Sequence, residues 1–532
     1  MCPSQTGIED YILLRMRMMI CVILFWISAR AADSPTVTVT GGQARGTFLE
    51  KGGAVFKGIP FAQPPVGDLR WRDPAPLKPW SGLREATAFG PPCAQNSNGR
   101  MLEASKEDCL YLNVWAPEWP AQSRKPVMVW FHGGGNYGGT ASTNNFDGES
   151  LARRGIVLVT TNYRLTVFGF FSHPELTKES PHHASGNYGL LDQIAALHWV
   201  HDNIARFGGD PGNVTIFGQS AGAVDVNVLM TTPLSKGLFH RVIAESGTVT
   251  RNPDDGTLRM TALGGVMQVK SGPVTYSDAA GRAEAEQAGE KLGSSLQQLR
   301  QLPAADLLKA VAEPRRSIGP ANGVAVDGYV FPKPPAEVFA TGKEQRVPLL
   351  IGNNSRERTP RTTPEEVKAA MEAMYGPLAT RALALYGRPD PLYGPPDAQW
   401  VVDSMYRCPV VAQLNWHADA GNAAYEYQFD RPAPGREALG AVHGAEVPYV
   451  FGSLGASYAA ADHEISNAIE QYWTNFAKTG NPNGSGLPQW PRFDSSARGY
   501  MEFTDNGPEA REGLRRPFCD LYIENVKRLM GR

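Results

Sequence analysis

Short apolar runs alternate with helical stretches along this chain. Four runs rich in β-branched and aromatic residues predict buried strands; they lie at residues 127–131, 214–217, 347–351 and 425–429. Stretches with a helical pattern, such as 192–205 and 466–476, lie between and beyond them. A mostly parallel sheet covered by helices requires this alternation. We therefore predict an α/β fold with a large, mostly parallel central sheet flanked by helices on both faces.

Two further segments have recognisable local patterns. The sequence Thr-Pro-Glu-Glu at 363–366 combines an N-cap residue, a proline at the first helical position and a glutamate at the third, which predicts a helix start. Residues 250–300 are rich in Gly, Ala and Glu, and we expect peripheral helices there. No linker, repeat or low-complexity segment divides the chain.

The N-terminus has the pattern of a secretory leader. Two arginines precede the apolar run 18–27, and an Ala-x-Ala pattern ends at Ala31. The run is too short for a spanning helix, which needs about 20 residues. We predict a signal peptide over residues 1–31, cleaved after Ala31 or Ala32. A single catalytic domain at 32–532 would then be secreted or periplasmic, without a membrane anchor.

Charge and histidine placement exclude some partners. The 51 Lys and Arg residues nearly balance the 53 Asp and Glu residues, so there is no basic excess to attract nucleic acid. His182 and His183 lie in a polar loop, and no third ligand has metal-binding spacing. His198 and His201 lie on a predicted helix and are expected to be surface or packing residues. We expect no metal and no organic cofactor.

The strand at 214–217 runs directly into residues 218–222, Gly-Gln-Ser-Ala-Gly. This G-x-S-x-G pattern places a serine on a sharp strand-to-helix turn with its hydroxyl exposed. The flanking glycines let neighbouring backbone pass close to the serine. Ser220 is therefore a candidate nucleophile; the alternative is a turn serine without chemistry.

A second strand, at 127–131, ends in residues 132–135, His-Gly-Gly-Gly. In hydrolases with a serine elbow, such a loop supplies backbone N–H groups to an oxyanion hole. We predict the amides of Gly134, Gly135 and Ala221 as the donors, and a structural role for His132. The alternative, a flexible glycine-rich linker, does not suit a loop that directly follows a buried strand.

With these motifs, the chain resembles the type-B carboxylesterase/cholinesterase family of α/β-hydrolases, in particular its bacterial-type carboxylesterases. The resemblance extends from about Val37 almost to the C-terminus. Further stretches that are similar to family signatures lie at 56–65, 107–113, 186–193 and 207–211. The resemblance implies an α/β-hydrolase fold and hydrolysis of a small-molecule carboxylic ester without a cofactor.

The resemblance also implies the rest of a catalytic triad, because a serine nucleophile needs a histidine base and a carboxylate that orients it. The family order is Ser, then Glu or Asp, then His. The loop after the strand at 347–351 contains Glu357, and the loop after the strand at 425–429 contains His443. Ser246 is similar to a serine that supports the triad in the family. Gln219, beside the nucleophile, is also expected to contact the triad.

Four cysteines follow the leader: Cys93, Cys109, Cys408 and Cys519. They allow three pairings, and the sequence alone does not choose among them; free thiols are the alternative. The family resemblance implies the disulfides Cys93–Cys109 and Cys408–Cys519.

The resemblance does not extend to choline esters. Cholinesterases hold a quaternary ammonium with an aromatic face and with a carboxylate next to the nucleophile. Here the neutral Gln219 precedes Ser220, and the segment 93–109 contains no aromatic residue.

Arginines surround the candidate acid, at Arg356, Arg358 and Arg361, where family members often have small and aromatic residues. One interpretation is that Arg358 or Arg361 faces the pocket and binds a carboxylate on the substrate. Some bacterial family members act on such esters, for example the tricarballylate esters of fumonisin-type toxins. The alternative is a solvated turn, or pairing with Glu365 and Glu366.

The sequence thus predicts a secreted serine carboxylesterase that acts through an acyl-enzyme. An esterase specialised for carboxylate-bearing esters and a lipase are alternatives within the same chemistry. A non-catalytic adhesion module with this fold is an alternative from another class, and the complete set Ser220, Glu357 and His443 argues against it.

Overall fold

A computed structural model describes most of the chain. The described residues are 34–97, 100–249, 280–312, 324–358 and 363–531, together with the short strands at 259–260 and 266–267. The predicted leader, residues 1–31, and Arg361 lie outside the described residues.

The secondary structure is numbered in chain order. The strands β1 to β20 are Thr36–Val39, Gly42–Arg45, Thr47–Phe48, Ala54–Pro60, Leu83–Glu85, Asn96–Ser97, Arg100–Met101, Tyr111–Ala116, Lys125–Phe131, Val157–Thr161, Gly209–Gln219, Arg241–Glu245, Arg259–Met260, Val266–Met267, Ala280–Gly281, Ala325–Val326, Leu349–Asn354, Ala424–Phe429, Gly499–Thr504 and Gly507–Glu512. The helices α1 to α16 are Glu149–Arg153, Thr166–Gly169, Pro174–Glu179, Tyr188–Asn203, Ala221–Leu229, Arg282–Glu290, Leu296–Gln301, Ala304–Ala312, Pro335–Ala340, Pro364–Tyr375, Ala379–Leu385, Pro396–Val402, Cys408–Asp419, Val447–Val450, Ala460–Thr479 and Arg516–Leu529.

Eleven strands form the central sheet, in the order β20-β19-β18-β17-β12-β11-β9-β10-β8-β4-β3. From β19 to β10 every neighbouring pair is parallel. The outer strands β20, β8, β4 and β3 are joined by antiparallel pairing. The predicted large, mostly parallel sheet is therefore confirmed.

Helices pack on both faces of this sheet. Successive side chains of a strand point to opposite faces, and in β9 Val129 and Phe131 belong to one buried cluster while Met128 and Trp130 belong to another. The first cluster includes residues of α4, α5, α13 and α16. The second includes residues of α15. The four predicted strands lie within β9, β11, β17 and β18, or overlap them.

The predicted helices are present, with different bounds. The helix predicted at 192–205 is α4, which begins at Tyr188 and ends at Asn203. A 3₁₀ turn, Ile204–Phe207, follows it and ends at Gly208, which has φ +80°. The stretch 466–476 lies inside the longer α15. Thr363 caps α10 with the predicted capping box. In the 250–300 region, α6 and α7 are accompanied by the short strands β13 to β15, which we did not predict.

Both disulfides implied by the family resemblance are present, Cys93–Cys109 and Cys408–Cys519. The second joins the first residue of α13 to α16 near the C-terminus. Among the helices of the described residues, none combines the length and the apolar character needed to cross a membrane.

Glu426 is a buried carboxyl group in the middle of β18. It is 0% exposed, and neither carboxyl oxygen has a hydrogen-bond partner within the described ranges. Burial raises its pKa to about 8, although Arg498 and Arg407 act in the opposite direction. Because the folded pKa lies above the unfolded one, the folded protein keeps a proton that the unfolded chain releases. The resulting stabilisation is complete below the unfolded pKa of 4.5 and is lost as the pH rises through about 8.

Glu426→Gln is expected to flatten the pH dependence of stability. Glutamine has a similar shape and does not titrate, so the decline of Tm between about pH 5 and pH 8.5 should be shallower than in the wild type. Each unit of pKa difference corresponds to about 1.4 kcal/mol, which is measurable by calorimetry. Glu284→Gln, at an exposed position on α6, is the control and should keep the wild-type slope. A wild-type slope in Glu426→Gln would contradict this account.

Candidate active site

Ser220 lies at the turn between β11 and α5. Its backbone has φ 56° and ψ −120°, a conformation uncommon for a residue with a side chain. The turn is held by its own hydrogen bonds: the Ser220 amide donates to the Glu245 carbonyl at 2.8 Å, and the Val224 amide donates to the Ser220 carbonyl at 2.9 Å. Ser220 itself is half-buried, as the predicted elbow requires.

The elbow lies tightly against the glycine-rich loop that follows β9. A Cβ atom on Gly222 would collide with the carbonyl oxygen of Phe131. A Cβ on Gly133 would come within 2.7 Å of the Gln219 carbonyl oxygen. Glycine is therefore needed at both places for the loop and the elbow to touch.

The glycine-rich loop presents unused amides beside the elbow. Gly134 has φ +114°, and a Cβ there would collide with the carbonyl oxygen of Gly138. In the part of the chain that the structure describes, the amides of Gly134, Gly135 and Ala221 donate to no acceptor. Such free N–H groups beside a nucleophile can stabilise a developing oxyanion.

Glu357 and His443 lie together at the carboxyl ends of neighbouring strands β17 and β18. Nδ1 of His443 is 2.6 Å from Oε2 of Glu357. The other oxygen, Oε1, accepts the Asn354 amide at 2.7 Å, and the His443 amide donates to the Glu357 carbonyl at 3.0 Å. Glu357 is only 1% exposed, so both carboxylate oxygens have donors that offset the cost of burial.

The other ring nitrogen of His443 contacts Gln219 rather than Ser220. Nε2 of His443 is 3.2 Å from Nε2 of Gln219. Since Nδ1 faces a carboxylate it carries the proton, and Nε2 then accepts from the Gln219 amide. No hydrogen bond joins the Ser220 hydroxyl to His443 among the described residues. Catalytic hydrogen bonds are often long or misaligned without substrate. Here the Ser220 hydroxyl would replace the Gln219 amide as the hydrogen-bond partner of Nε2 of His443.

Ser246 contacts a second glutamate, Glu446, which lies near Glu357. Its hydroxyl is 3.5 Å from Oε1 of Glu446, and the Asn354 side-chain amide donates to Oε2 of Glu446 at 2.5 Å. Burial, and then the charge of Glu357, raise the pKa of Glu446 well above its ordinary value. The ionised form of Glu446 is therefore disfavoured, and Glu357 is the glutamate that contacts His443.

Arg358 also approaches the site. Its Nε donates to the Tyr406 hydroxyl at 2.8 Å, and the Tyr406 ring lies 5.4 Å from the ring of His443. Arg358 is half-buried and makes no salt bridge in the described ranges, although the charge of the neighbouring Glu357 acts on it. Among the described residues Arg358 makes no salt bridge with Glu365 or Glu366, which lie exposed on the first turn of α10; its guanidinium bonds the Tyr406 hydroxyl instead.

Arg356 has a different role. Its guanidinium donates to the carbonyls of Leu392 and Pro391 at 2.6 and 2.8 Å. It therefore holds a neighbouring loop, and of the described arginines at this turn only Arg358 contacts a residue beside His443.

His132, His198 and His201 lie in structural or surface environments, as expected of them. Burial lowers the pKa of His132 to about 4, so its ring is neutral, and it stacks on Tyr163 at 4.6 Å. His182, His198 and His201 are exposed. Among the described residues, no group of three or more His, Cys, Asp or Glu side chains is arranged to hold a metal ion.

Four residues of this site did not emerge from the sequence: Asn136, Asp225, Tyr406 and Glu446. Three of them are close to a recognised motif, since Asn136 directly follows the glycine loop, Asp225 is five residues after Ser220, and Glu446 is three after His443. For these three residues, proximity to a motif was the sequence signal that could have identified them. Tyr406 has no such signal, because it lies in a π-helical turn between α12 and α13.

Comparison with known proteins identifies relatives across nearly the whole chain. A family model described as the carboxylesterase family matches residues 33–371 and 397–522. A fumonisin B1 esterase of Sphingopyxis macrogoltabida is 36% identical over 470 residues, covering 82% of this chain and 81% of the relative. Carboxylesterase 1D of Mus musculus is 35% identical over 541 residues, with 90% and 92% covered. The solved structure of a Geobacillus stearothermophilus carboxylesterase superposes with a TM-score of 0.77 at 31% identity, covering 92% of this chain and all of that one.

Proposed function

The chain belongs to the carboxylesterase family of α/β-hydrolases and is a carboxylic ester hydrolase, and from this premise we propose that it works through an acyl-enzyme formed on Ser220. The observation that carries the proposal is the 2.6 Å contact between His443 and the buried Glu357, next to an elbow that exposes a serine. A histidine oriented in this way can act as a general base, and the hydroxyl of Ser220 supplies the proton that it would remove.

In the acylation step, Nε2 of His443 removes the hydroxyl proton as Oγ of Ser220 attacks the ester carbonyl carbon. The carbonyl oxygen becomes an oxyanion, which the amides of Gly134, Gly135 and Ala221 stabilise. The imidazolium is stabilised by Glu357 and gives its proton to the departing alkoxide as the ester C–O bond breaks. The products of this step are the free alcohol and an ester of Ser220.

Deacylation repeats the proton path with water as the nucleophile. His443 removes a proton from water, the hydroxide adds to the acyl carbon, and the proton returns to Oγ of Ser220 as the acid leaves. In both steps Nε2 of His443 must be free to accept a proton, so the Gln219 amide has to move away when substrate binds.

Partition of the acyl group between water and methanol tests this mechanism. If one acyl-enzyme is common to all esters of an acid, the ratio of methyl ester to free acid depends on the methanol concentration but not on the leaving alcohol. We expect the same ratio for the phenyl, p-nitrophenyl and ethyl esters of one acid. A ratio that changes with the leaving alcohol would indicate direct attack of water and would contradict the proposal.

A second, narrower function is favoured by Arg358. This half-buried cation bonds the Tyr406 hydroxyl and makes no salt bridge in the described ranges. A guanidinium in that situation suits a substrate carboxylate, which it can bind through two parallel hydrogen bonds. The similarity to a relative named as a fumonisin B1 esterase also supports a substrate that carries a carboxylate. We therefore propose a preference for esters whose acyl part carries a free carboxylate.

Arg358→Gln is expected to abolish this preference. We expect the wild type to favour mono-p-nitrophenyl adipate over p-nitrophenyl hexanoate by about tenfold or more in kcat/KM, equivalent to about 1.4 kcal/mol. The variant should lose that factor on the anionic ester and stay within about threefold on the neutral one. Arg436→Gln removes the same charge from an exposed position and should keep the preference. An equal loss on both esters in Arg358→Gln would contradict the proposed role.

We also propose export of the protein, with residues 1–31 removed and 32–532 forming one catalytic domain. The two disulfides support this, because disulfides persist mainly in oxidising compartments. N-terminal sequencing of the mature protein should find a start directly after Ala31 or Ala32, and an intact leader on active protein outside the cytoplasm would contradict it.

A further inference from the structure

A buried polar cluster lies beneath the glycine-rich loop, and the mechanism above makes no use of it. The Asp225 cluster consists of Asn136, Tyr163, Gln193 and Asp225, all at most 2% exposed. Asn136 directly follows Gly135, and Asp225 lies on α5, one turn after Ala221. The cluster thus joins the two elements that present the unused amides.

The carboxylate of Asp225 is the centre of this cluster. Its Oδ1 accepts the side-chain amide of Asn136 at 3.2 Å, and its Oδ2 accepts the side-chain amide of Gln193 at 2.6 Å. Oδ1 of Asn136 in turn accepts from the Tyr163 hydroxyl at 3.1 Å, and that hydroxyl also lies 2.7 Å from the His132 carbonyl. The side chain of Asn136 is therefore held at both of its polar atoms.

The backbone of Asn136 has φ +60°, in the left-handed region that glycine and asparagine adopt more readily than other residues. Its carbonyl accepts the Thr166 amide at 2.7 Å. Asn136 directly follows Gly135 in the chain. The backbone conformation of Asn136 therefore affects the direction of the amide N–H groups in the glycine-rich loop.

The oxyanion donors come from two separate elements: Gly134 and Gly135 from the loop, Ala221 from α5. Only a fixed separation between these elements lets three amides converge on one oxygen. Resting on the serine mechanism proposed above, we propose that Asp225 is a positioning residue that sets this separation by tying α5 to Asn136.

The chemistry of the cluster predicts which substitutions keep its function. Alanine at 225 removes both acceptors and leaves two buried amide groups without partners. Asparagine keeps one acceptor for Asn136, and its own NH₂ group can donate to Oε1 of Gln193 after the Gln193 amide rotates by half a turn. Oε1 of Gln193 has no partner among the described residues. Burial also raises the pKa of Asp225 to about 7, so part of the wild-type population is already neutral near that pH.

Asp225→Ala is expected to lower kcat about 10- to 100-fold, because small displacements of transition-state donors have effects of this size. KM should stay within about threefold. Affinity for a trifluoromethyl ketone, whose hemiketal oxyanion occupies the same donors, should fall by the same factor as kcat/KM. Asp225→Asn should recover activity to within about threefold of the wild type.

Asn136→Gly provides an independent route to the same result. Glycine tolerates φ +60° but lacks the side chain that reaches Asp225, so kcat should fall as in Asp225→Ala. The double variant should be no worse than the poorer single one, because both remove one interaction. If Asp225→Ala does not fold, Asn136→Gly decides the question alone.

Ser235→Ala is the matched control. It also removes a buried hydrogen bond, from Ser235 to the Leu229 carbonyl at 2.6 Å beyond the end of α5, and should affect Tm without affecting kcat or ketone affinity. Asp225→Ala with wild-type kcat, or Asp225→Asn as impaired as Asp225→Ala, would overturn the inference. A wild type that binds the ketone no better than a matched alcohol would instead refute the serine mechanism, so the two failures are distinguishable.

Discussion

Ser220→Ala is expected to lose about a millionfold in kcat while the protein stays folded. Losses of about this size follow removal of a serine nucleophile that acts as a unit with its base. The structural reason is direct: in the proposed mechanism Oγ attacks the ester carbonyl, and among the described residues no other hydroxyl is placed on the elbow beside the amides of Gly134 and Gly135. Steady-state kinetics on p-nitrophenyl acetate, with circular dichroism and Tm as tests of folding, measure the loss.

Ser246→Ala is a closely matched control for this substitution. Ser246 is also a serine with positive φ, 60° against 56° for Ser220, so both substitutions place an alanine at a φ that disfavours side chains. Ser246 contacts Glu446 rather than substrate, and its loss in kcat should be less than about a hundredfold. Retention of more than a tenth of wild-type kcat by Ser220→Ala would contradict the assignment of the nucleophile.

Glu357→Gln is expected to lower kcat by about 10⁴, the effect of replacing a triad carboxylate with its amide. Glutamine keeps the shape of the side chain but presents either an N–H or an uncharged oxygen to Nδ1 of His443. The preferred tautomer and the stability of the imidazolium are then lost. The measurement is kcat/KM from about pH 5 to pH 9. Its change with pH should be smaller in the variant than in the wild type, because His443 then contributes less to catalysis.

Glu446→Gln separates the charge of Glu357 from the general effect of a buried glutamate. Burial and the Glu357 charge raise the pKa of Glu446 and so disfavour its ionised form, and an amide there should change the electrostatics less than an amide at Glu357. We expect a loss of less than about tenfold. If Glu446→Gln were as impaired as Glu357→Gln, the charged partner of His443 would have been assigned to the wrong residue.

The sequence predicted the parts of this site that depend on local pattern. The central strands are buried on both faces, so they appear as continuous apolar runs. The loops after β9 and β11 contain glycine patterns that occur in few other structural contexts. The chemical role that these glycine patterns indicate can be predicted without knowing which residues they contact in the fold. Glu357 and His443 needed the family resemblance, because ten histidines and 53 acidic residues offer many pairs with no local distinction.

Contacts between distant elements were beyond the sequence. Asp225 meets Asn136 only because α5 packs beneath the glycine loop, and Arg358 meets Tyr406 because the π-helical turn before α13 approaches the end of β17. A contact of Gln219 with the triad was expected, but the atom that it meets, Nε2 of His443, was not predictable, since a neutral residue before the nucleophile has no fixed direction. Such pairs depend on the register of the sheet and on helix packing, which hydrophobic periodicity does not specify.

The most direct test of the serine mechanism is to map the covalent adduct formed by a fluorophosphonate, which reacts with activated serines. We expect one adduct per chain, located by peptide mass spectrometry on Ser220, with esterase activity lost in proportion to labelling. Ser220→Ala should form no adduct. Full esterase activity in protein whose Ser220 is labelled, or inactivation with the adduct on another residue, would contradict the account.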